Sequence, residues 1–135
     1  MKRLHVHVSA ADLDQSIAFY ATLFGTRPTT RRPGYAKWML EDPRINFALS
    51  EGSLNPGVSH LGLQTEDAAE LHAIGARLKA DRITLDLEQD VACCYARSDK
   101  YWARDPQGIR WESFLTHGPD ATGDSQKACH PACCP

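Results

Sequence analysis

The sequence lacks long apolar runs and lacks segments in which charge of one sign dominates. In its 135 residues no apolar stretch approaches the length of a membrane span, and the first residues lack a signal peptide's apolar core. The 15 basic and 17 acidic residues are well mixed, so no basic stripe indicates nucleic-acid binding. Five cysteines in such a chain indicate reduced thiols in the cytoplasm rather than a disulfide scaffold. The composition therefore predicts a cytoplasmic chain that binds neither membranes nor nucleic acid.

What the sequence does contain is an internal repeat. His5 begins a short apolar strand pattern that is followed by Asp12 and a helical pattern. His60 begins the same series 55 positions later, with Asp67 as the matching acid. Self-similarity at a fixed offset is typical of modules that pack together to bury a shared core. If the two copies pair, His5 and His60 take equivalent places and meet across a pseudo-twofold axis.

Each copy is predicted to fold as β-α-β-β-β. The first module spans residues 1–50, a linker spans 51–57, the second module spans 58–116, and a flexible tail with cysteines spans 117–135. Alternating residues and turn signals predict strands over Leu4–Ala10, Arg27–Arg31, Tyr35–Leu40, Ile45–Leu49, Arg82–Leu87, Arg97–Ala103 and Ile109–Leu115. Helices are expected after the N-cap Asp12, with an apolar stripe of Leu13, Ile17, Tyr20, Leu23 and Phe24, and over Asp67–Lys79. The fold class is therefore α+β.

Alignment of the module ends adds a carboxylate to the two histidines. Glu112 stands in the last strand where the first copy has Ala48. Two histidines and one carboxylate with open coordination positions form the set that non-haem Fe(II) oxygen chemistry uses, although Mn, Ni, Co and Zn also bind such donors. His7 shares a strand face with His5, and only the register of the repeat favours His5 as the ligand.

The chain resembles the vicinal-oxygen-chelate (glyoxalase/bleomycin-resistance/dioxygenase) superfamily. The resemblance rests on the opening motif from His5 to Gly25 and on the closing motif Asp105–Glu112, and it spans about residues 3–115. The run Cys93–Trp102, Cys-Cys-Tyr-Ala-Arg-Ser-Asp-Lys-Tyr-Trp, is similar to a narrower group, the organoarsenical C–As lyases and cadmium-inducible proteins. The resemblance implies a glyoxalase-like half-barrel built from two paired βαβββ modules.

The adjacent cysteines fit this resemblance chemically. Trivalent arsenic is a soft centre that prefers thiolates, and two thiolates form a chelate. Cys93 and Cys94 are expected in the connection after Leu87, where irregular backbone turns both sulfurs toward one atom. Two small buried apolar residues are the alternative interpretation, and the polar residues just before the pair argue against it.

The resemblance implies cleavage of the carbon–arsenic bond of a trivalent organoarsenical, with methyl and aryl substrates both open. His5, His60 and Glu112 would hold Fe(II), O2 would be the co-substrate, and Cys93 with Cys94 would hold arsenic. Lys100, Tyr101 and Trp102 are candidates for the mouth of the site without assigned roles. Whether the chain forms a homodimer, and whether one site draws on two chains, stays open.

Two alternatives and one further hypothesis remain. A non-catalytic protein that sequesters Cd(II) or As(III) would use the cysteines but leave the histidines and Glu112 idle. A glyoxalase-type or antibiotic-resistance enzyme is third, because a glyoxalase usually has four protein ligands and Ala48 removes one. The tail cysteines Cys129, Cys133 and Cys134 either deliver substrate or metal to the site or act as a dispensable scavenger.

Overall fold

The structure is a computed structural model, and it describes residues 1–93 and 96–119. Eight strands and two helices follow one another along this part of the chain. They are β1 (Arg3–Ala10), α1 (Leu13–Phe24), β2 (Thr30–Arg32), β3 (Tyr35–Glu41), β4 (Arg44–Glu51), β5 (Gly57–Gln64), α2 (Ala68–Ala80), β6 (Asp86–Cys93), β7 (Ala96–Arg104) and β8 (Arg110–Pro119). The strands form one sheet in the order β2-β3-β4-β1-β5-β8-β7-β6. The α+β class and the two βαβββ halves are confirmed.

The pairing of the first strands of the two halves reproduces the repeat. β1 and β5 are antiparallel neighbours, with His5 opposite Gly62 and His7 opposite His60. In the repeat, His60 is equivalent to His5 and Gly62 is equivalent to His7. Exchange of the two halves therefore maps the His5–Gly62 pair onto the His60–His7 pair. The pseudo-twofold axis therefore passes between these strands, as the 55-residue offset predicts.

The last strands of the two halves obey the same relation. β4 runs parallel to β1 with Ala48 beside His7, and β8 runs parallel to β5 with Glu112 beside Gly62. Ala48 and Glu112 are thus equivalent positions, which confirms the alignment made from the sequence. The registers place Glu112 next to the strand that carries His60.

Helix α1 begins and ends where its sequence predicts. The Asp12 carboxylate accepts a hydrogen bond from the Gln15 backbone N–H at 2.9 Å, and Gly25 ends the helix in the left-handed conformation. The predicted apolar stripe is wrong at one position, because Leu23 is 62% exposed. At 100° per residue Leu23 lies beside the stripe rather than within it, and Phe24 packs against the core instead.

The main core lies between α1 and one face of the first half of the sheet. Its buried members are Leu13, Ile17, Ala36, Trp38, Phe47 and Leu49. Because side chains alternate along a strand, neighbours of these residues point to the opposite face. His5, His7 and Ala48 lie on that second face, which the helices do not cover.

Two strand boundaries in the second half differ from the prediction. A strand was expected over Arg82–Leu87, but Arg82 and Ile83 donate backbone hydrogen bonds to Lys79 and Leu78 at the end of α2. β6 therefore starts at Asp86 and continues through a bulge to Cys93, so the predicted irregular connection after Leu87 is wrong for residues 88–93. The polar residues of this edge strand carry no apolar alternation that would have revealed it.

The predicted boundary between the second module and the tail is also displaced. β8 extends to Pro119, and Gly118 and Pro119 pair with β7 rather than beginning the tail. Residues 120–135, including Cys129, Cys133 and Cys134, lie outside the described residues. Within the described part of the chain, no helix is long and apolar enough to cross a membrane.

Candidate metal centre

Three side chains from three neighbouring strands converge on the uncovered face of the sheet. His5 Nε2 lies 3.3 Å from His60 Nε2. Glu112 Oε2 lies 3.6 Å from His5 Nε2 and 3.4 Å from His60 Nε2. All three residues are buried. The structure thus brings the three sequence-predicted ligands together within one chain.

The second nitrogen of each ring has a partner that helps to fix the ring. His5 Nδ1 lies 3.0 Å from the backbone carbonyl oxygen of Asn46. A carbonyl only accepts, so Nδ1 of a neutral His5 carries the hydrogen and Nε2 presents a lone pair. His60 Nδ1 lies 3.1 Å from the hydroxyl of Ser59. Such contacts orient ligating histidines in metal sites.

The ionisation of the cluster favours cation binding. Burial is the main cause that lowers the pKa of His5 from 6.5 to about 4, so this ring is neutral at pH 7. Burial alone would raise the pKa of Glu112. The hydrogen bond from His60 and the charge of Lys100 outweigh burial and hold that pKa well below its usual range. A neutral His5 and an ionised Glu112 therefore direct a lone pair and a negative charge at the same point.

The donor spacing fits a single metal ion. Ligand atoms at about 2.0–2.2 Å from a common ion are separated from one another by about 2.8–3.6 Å, from adjacent octahedral positions at the short end to tetrahedral positions at the long end. The three observed separations, 3.3, 3.4 and 3.6 Å, fall in this range. Two imidazole nitrogens and one carboxylate suit Fe(II), and they also suit Mn, Co and Zn.

His7 is the other histidine that the sequence left open as a ligand. It is buried, and with His5 and His60 it forms a group whose potential ligand atoms all lie within 4.8 Å of one another. Its Nε2, however, lies 2.7 Å from the hydroxyl of Ser50, which already provides a hydrogen-bond partner. Glu112 Oε2 lies 3.6 Å from His5 Nε2 and 3.4 Å from His60 Nε2 and carries negative charge, so Glu112 is the better third donor.

A cavity of about 60 Å3 adjoins the three donors. Ala48 lies in its wall and is 1% exposed. Because Ala48 is the counterpart of Glu112, no carboxylate enters from the first half. Positions around an ion held by the other three side chains would stay free for a substrate molecule.

Lys100 is the site residue whose place the sequence did not predict. Its Nζ lies 2.7 Å from Glu112 Oε1, and both side chains are buried. Strand parity offered a signal, since Lys100 shares a face of β7 with the buried Trp102. Tyr101 points to the opposite face and contacts Gly75 of α2, so it does not line the mouth.

The cysteine predictions lie mostly outside the described residues. Only the backbone of Cys93 is described, as the last residue of β6, and Cys94 is not described. Cys93 pairs with Ala96 in the ladder between β6 and β7. Ala96 lines the cavity beside the candidate metal centre, so this end of the hairpin adjoins the cavity.

Comparison with known proteins identifies relatives over almost the whole chain. The sequence is 38% identical to a trivalent organoarsenical cleaving enzyme of Thermomonospora curvata, across 99% of this chain and 89% of that protein. It is 36% identical to a cadmium-induced protein of Mycobacterium bovis, across 84% of this chain and 76% of that protein.

A solved structure shares the fold at low sequence identity. Homoprotocatechuate 2,3-dioxygenase from Arthrobacter globiformis superposes with a TM-score of 0.64 at 19% identity, covering 86% of this chain and 36% of that chain. The family model of the Glyoxalase/Bleomycin resistance protein/Dioxygenase superfamily matches residues 2–113. With its paired modules and these relatives, the chain belongs to the Glyoxalase/Bleomycin resistance protein/Dioxygenase superfamily.

Proposed function

We propose that the protein is an enzyme that cleaves the carbon–arsenic bond of trivalent organoarsenicals, using Fe(II) and O2. The observation that carries the proposal is the convergence of His5, His60 and Glu112 beside a cavity with an open side. The name of the Thermomonospora curvata relative supports an arsenical as the substrate. The products would be arsenite and the oxidised organic fragment.

The protein's own residues divide the work between holding metal and holding substrate. His5, His60 and Glu112 would bind Fe(II), which when bound supplies the site where O2 is taken up and reduced. Cys93 and Cys94 would bind arsenic as a dithiolate and direct its organic substituent into the cavity. Positioning of this kind contributes much of the rate when two reactants must meet. The ladder position of Cys93 opposite Ala96 supports this division.

The polar wall of the cavity prepares the donors before metal arrives. The Asn46 carbonyl fixes the tautomer of His5, and Lys100 balances the charge of Glu112. Ala48 leaves space where the repeat would otherwise place a fourth ligand. This space argues against a glyoxalase-type enzyme, which would close that position.

Arsenic speciation tests the proposal directly. Protein purified without oxygen and loaded with Fe(II) is mixed with trivalent methylarsenical, air is admitted, and the arsenic species are separated and quantified. We expect inorganic arsenite only when iron and oxygen are both present. His60→Ala and Glu112→Gln should lower the rate about a hundredfold or more, because the first removes a metal ligand and the second replaces a charged ligand with a weaker, neutral one. His72→Ala, which changes an exposed histidine of α2, should retain the wild-type rate.

The same experiment separates the sequestering alternative. A Cd(II)- or As(III)-binding protein would hold arsenic one-to-one and return it still methylated, even with verified Fe(II) occupancy. His60→Ala would then leave arsenic binding intact, whereas Cys93→Ser would abolish it. That pattern would overturn the lyase proposal and favour sequestration.

A further inference from the structure

The two oxygens of Glu112 have different partners. Oε2 faces His5 and His60 at 3.6 and 3.4 Å. Oε1 accepts a hydrogen bond from Lys100 Nζ at 2.7 Å. The carboxylate is therefore held with one oxygen toward the candidate metal position and the other toward an ammonium group.

Strand geometry places Lys100 here. β7 is the neighbour of β8, with Trp102 opposite Glu112 and Lys100 opposite Phe114. Lys100 and Trp102 share a face because they are two positions apart. Lys100 is only 4% exposed, and a buried ammonium needs an anionic partner. Glu112 is that partner, although it also belongs to the ligand set.

We propose that Lys100 is a positioning residue that makes Glu112 coordinate metal through Oε2 alone; the proposal rests on the metal ligands proposed above. An ion that also engaged Oε1 would share that oxygen with a second cation at 2.7 Å. Two cations on one oxygen repel each other strongly in a buried site. Single-oxygen coordination leaves one more position of the ion open for O2 or water.

Water relaxation of the Mn(II)-loaded protein measures this effect without any arsenical turnover. An octahedral ion with two histidines and one carboxylate oxygen keeps three positions for water, and a second carboxylate oxygen removes one. We expect Lys100→Met to lower the inner-sphere proton relaxivity per bound Mn(II) by about one third. Lys100→Arg keeps a donor for Oε1 and should retain the wild-type relaxivity.

A second cavity lysine provides the matched control. Lys37 lines the same cavity from β3, so Lys37→Met removes a similar side chain while leaving the Lys100–Glu112 pair in place. Its relaxivity should match that of the wild type. Equal relaxivity in Lys100→Met and wild type, at verified Mn(II) occupancy, would overturn the positioning role.

Protein folding and the ligand set can be judged independently. If Lys100→Met does not fold, the decision passes to Lys100→Arg, whose relaxivity must then match the wild type; a loss of one third would overturn the proposal. If the wild-type protein binds no Mn(II), Co(II) or Fe(II), the metal site itself fails and the role of Lys100 fails with it. If metal binds and relaxivity changes as expected but no arsenite forms, only the proposed reaction is overturned.

Discussion

At the scale of single residues, the two histidines of the site occupy equivalent places in the repeat but are held differently. His5 Nδ1 faces the Asn46 carbonyl oxygen, which only accepts a hydrogen bond. His60 Nδ1 faces the Ser59 hydroxyl, which either donates or accepts. His5 is therefore fixed in one neutral tautomer, whereas His60 adopts either tautomer without losing its partner. In the metal-free protein His60 is the ring that can donate from Nε2 to Glu112.

Acid should destabilise the metal-free protein through His5. The pKa of His5 is about 4 in the folded state, against 6.5 in an unfolded chain, because burial disfavours the charged ring. The unfolded chain thus binds a proton first as the pH falls, and stability is lost between pH 6.5 and 4. This pKa difference corresponds to about 3 kcal/mol of unfolding free energy. Burial also lowers the pKa of His7, so protonation of His7 in the unfolded chain further reduces the unfolding free energy at acid pH.

Urea unfolding at a series of pH values measures this contribution. His5→Gln removes the titrating ring, so its unfolding free energy should fall less steeply than that of the wild type between pH 6.5 and 4. His72→Gln, which replaces an exposed histidine, should follow the wild-type curve. Parallel curves for wild type and His5→Gln would show that His5 is not held neutral by burial.

The sequence could predict His5, His60 and Glu112 because all three are fixed by the repeat and by strand parity. It could not predict the pairing of Lys100 with Glu112, since that contact depends on the register between β7 and β8. Nor could it choose firmly between His5 and His7, which share a strand face. Ser50, which contacts His7, lies on a different strand, β4. Only the register between β1 and β4 reveals that the two side chains meet.

At the scale of elements, the contact between β5 and β8 sets the distance between two of the proposed ligands, His60 and Glu112. Gly62 lies beside Glu112 in this parallel pair, and a Cβ on Gly62 would overlap the Glu112 backbone carbonyl oxygen. The repeat has His7 at the equivalent position, so the need for glycine is specific to the second half. The absence of a side chain at 62 lets the strand with His60 approach the strand with Glu112.

Gly62→Ala should therefore disturb both the fold and the metal site. The added methyl group meets backbone rather than a flexible side chain, so β5 and β8 must move apart. We expect a loss of about 2 kcal/mol or more in unfolding free energy. Co(II) affinity, measured by calorimetric titration, should fall at least tenfold. Val58→Ala, at the exposed end of the same strand, should change neither quantity appreciably.

The hairpin of β6 and β7 shows where sequence patterns stop being informative. In the strands of the first half, side chains alternate between the aromatic core and the opposite face. These strands can therefore be located from a two-residue period in the sequence. β6 is an edge strand with Glu88, Gln89 and Asp90 in its middle, and a bulge interrupts its pairing there. Its pairing with β7, rather than its own pattern, makes it a strand up to Cys93.

At the scale of the whole molecule, the candidate site belongs to both halves at once. His5 comes from the first half, whereas His60 and Glu112 come from the second, and β1 and β5 join them. One chain alone brings the three donors together, so the site does not need a second subunit to supply a ligand. A protein of this size thus forms a buried site at the junction of two modules that are each too small to bury their own sheet.

Opening the chain between the halves tests this dependence. The linker between β4 and β5 is exposed, with Leu54 at 97%, so a break after Ser53 should be tolerated. We expect fragment 1–53 and fragment 54–135, the latter with its five cysteines changed to serine so that thiolates do not bind Co(II), to reassemble when they are expressed together and to bind Co(II) as one unit. Neither fragment alone should bind it with comparable affinity, because each lacks part of the ligand set.

Substitutions in the reassembled pair identify which half supplies which ligand. His5→Ala in the first fragment should lower Co(II) affinity even though the second fragment is unchanged, whereas His72→Ala in the second should not. Reassembly pairs the edge of β1 with the edge of β5, so Co(II) binding should depend on fragment concentration. If fragment 54–135 alone bound Co(II) as tightly as the intact chain, His5 would not be a ligand. The metal centre would then have to be assigned to the second half alone.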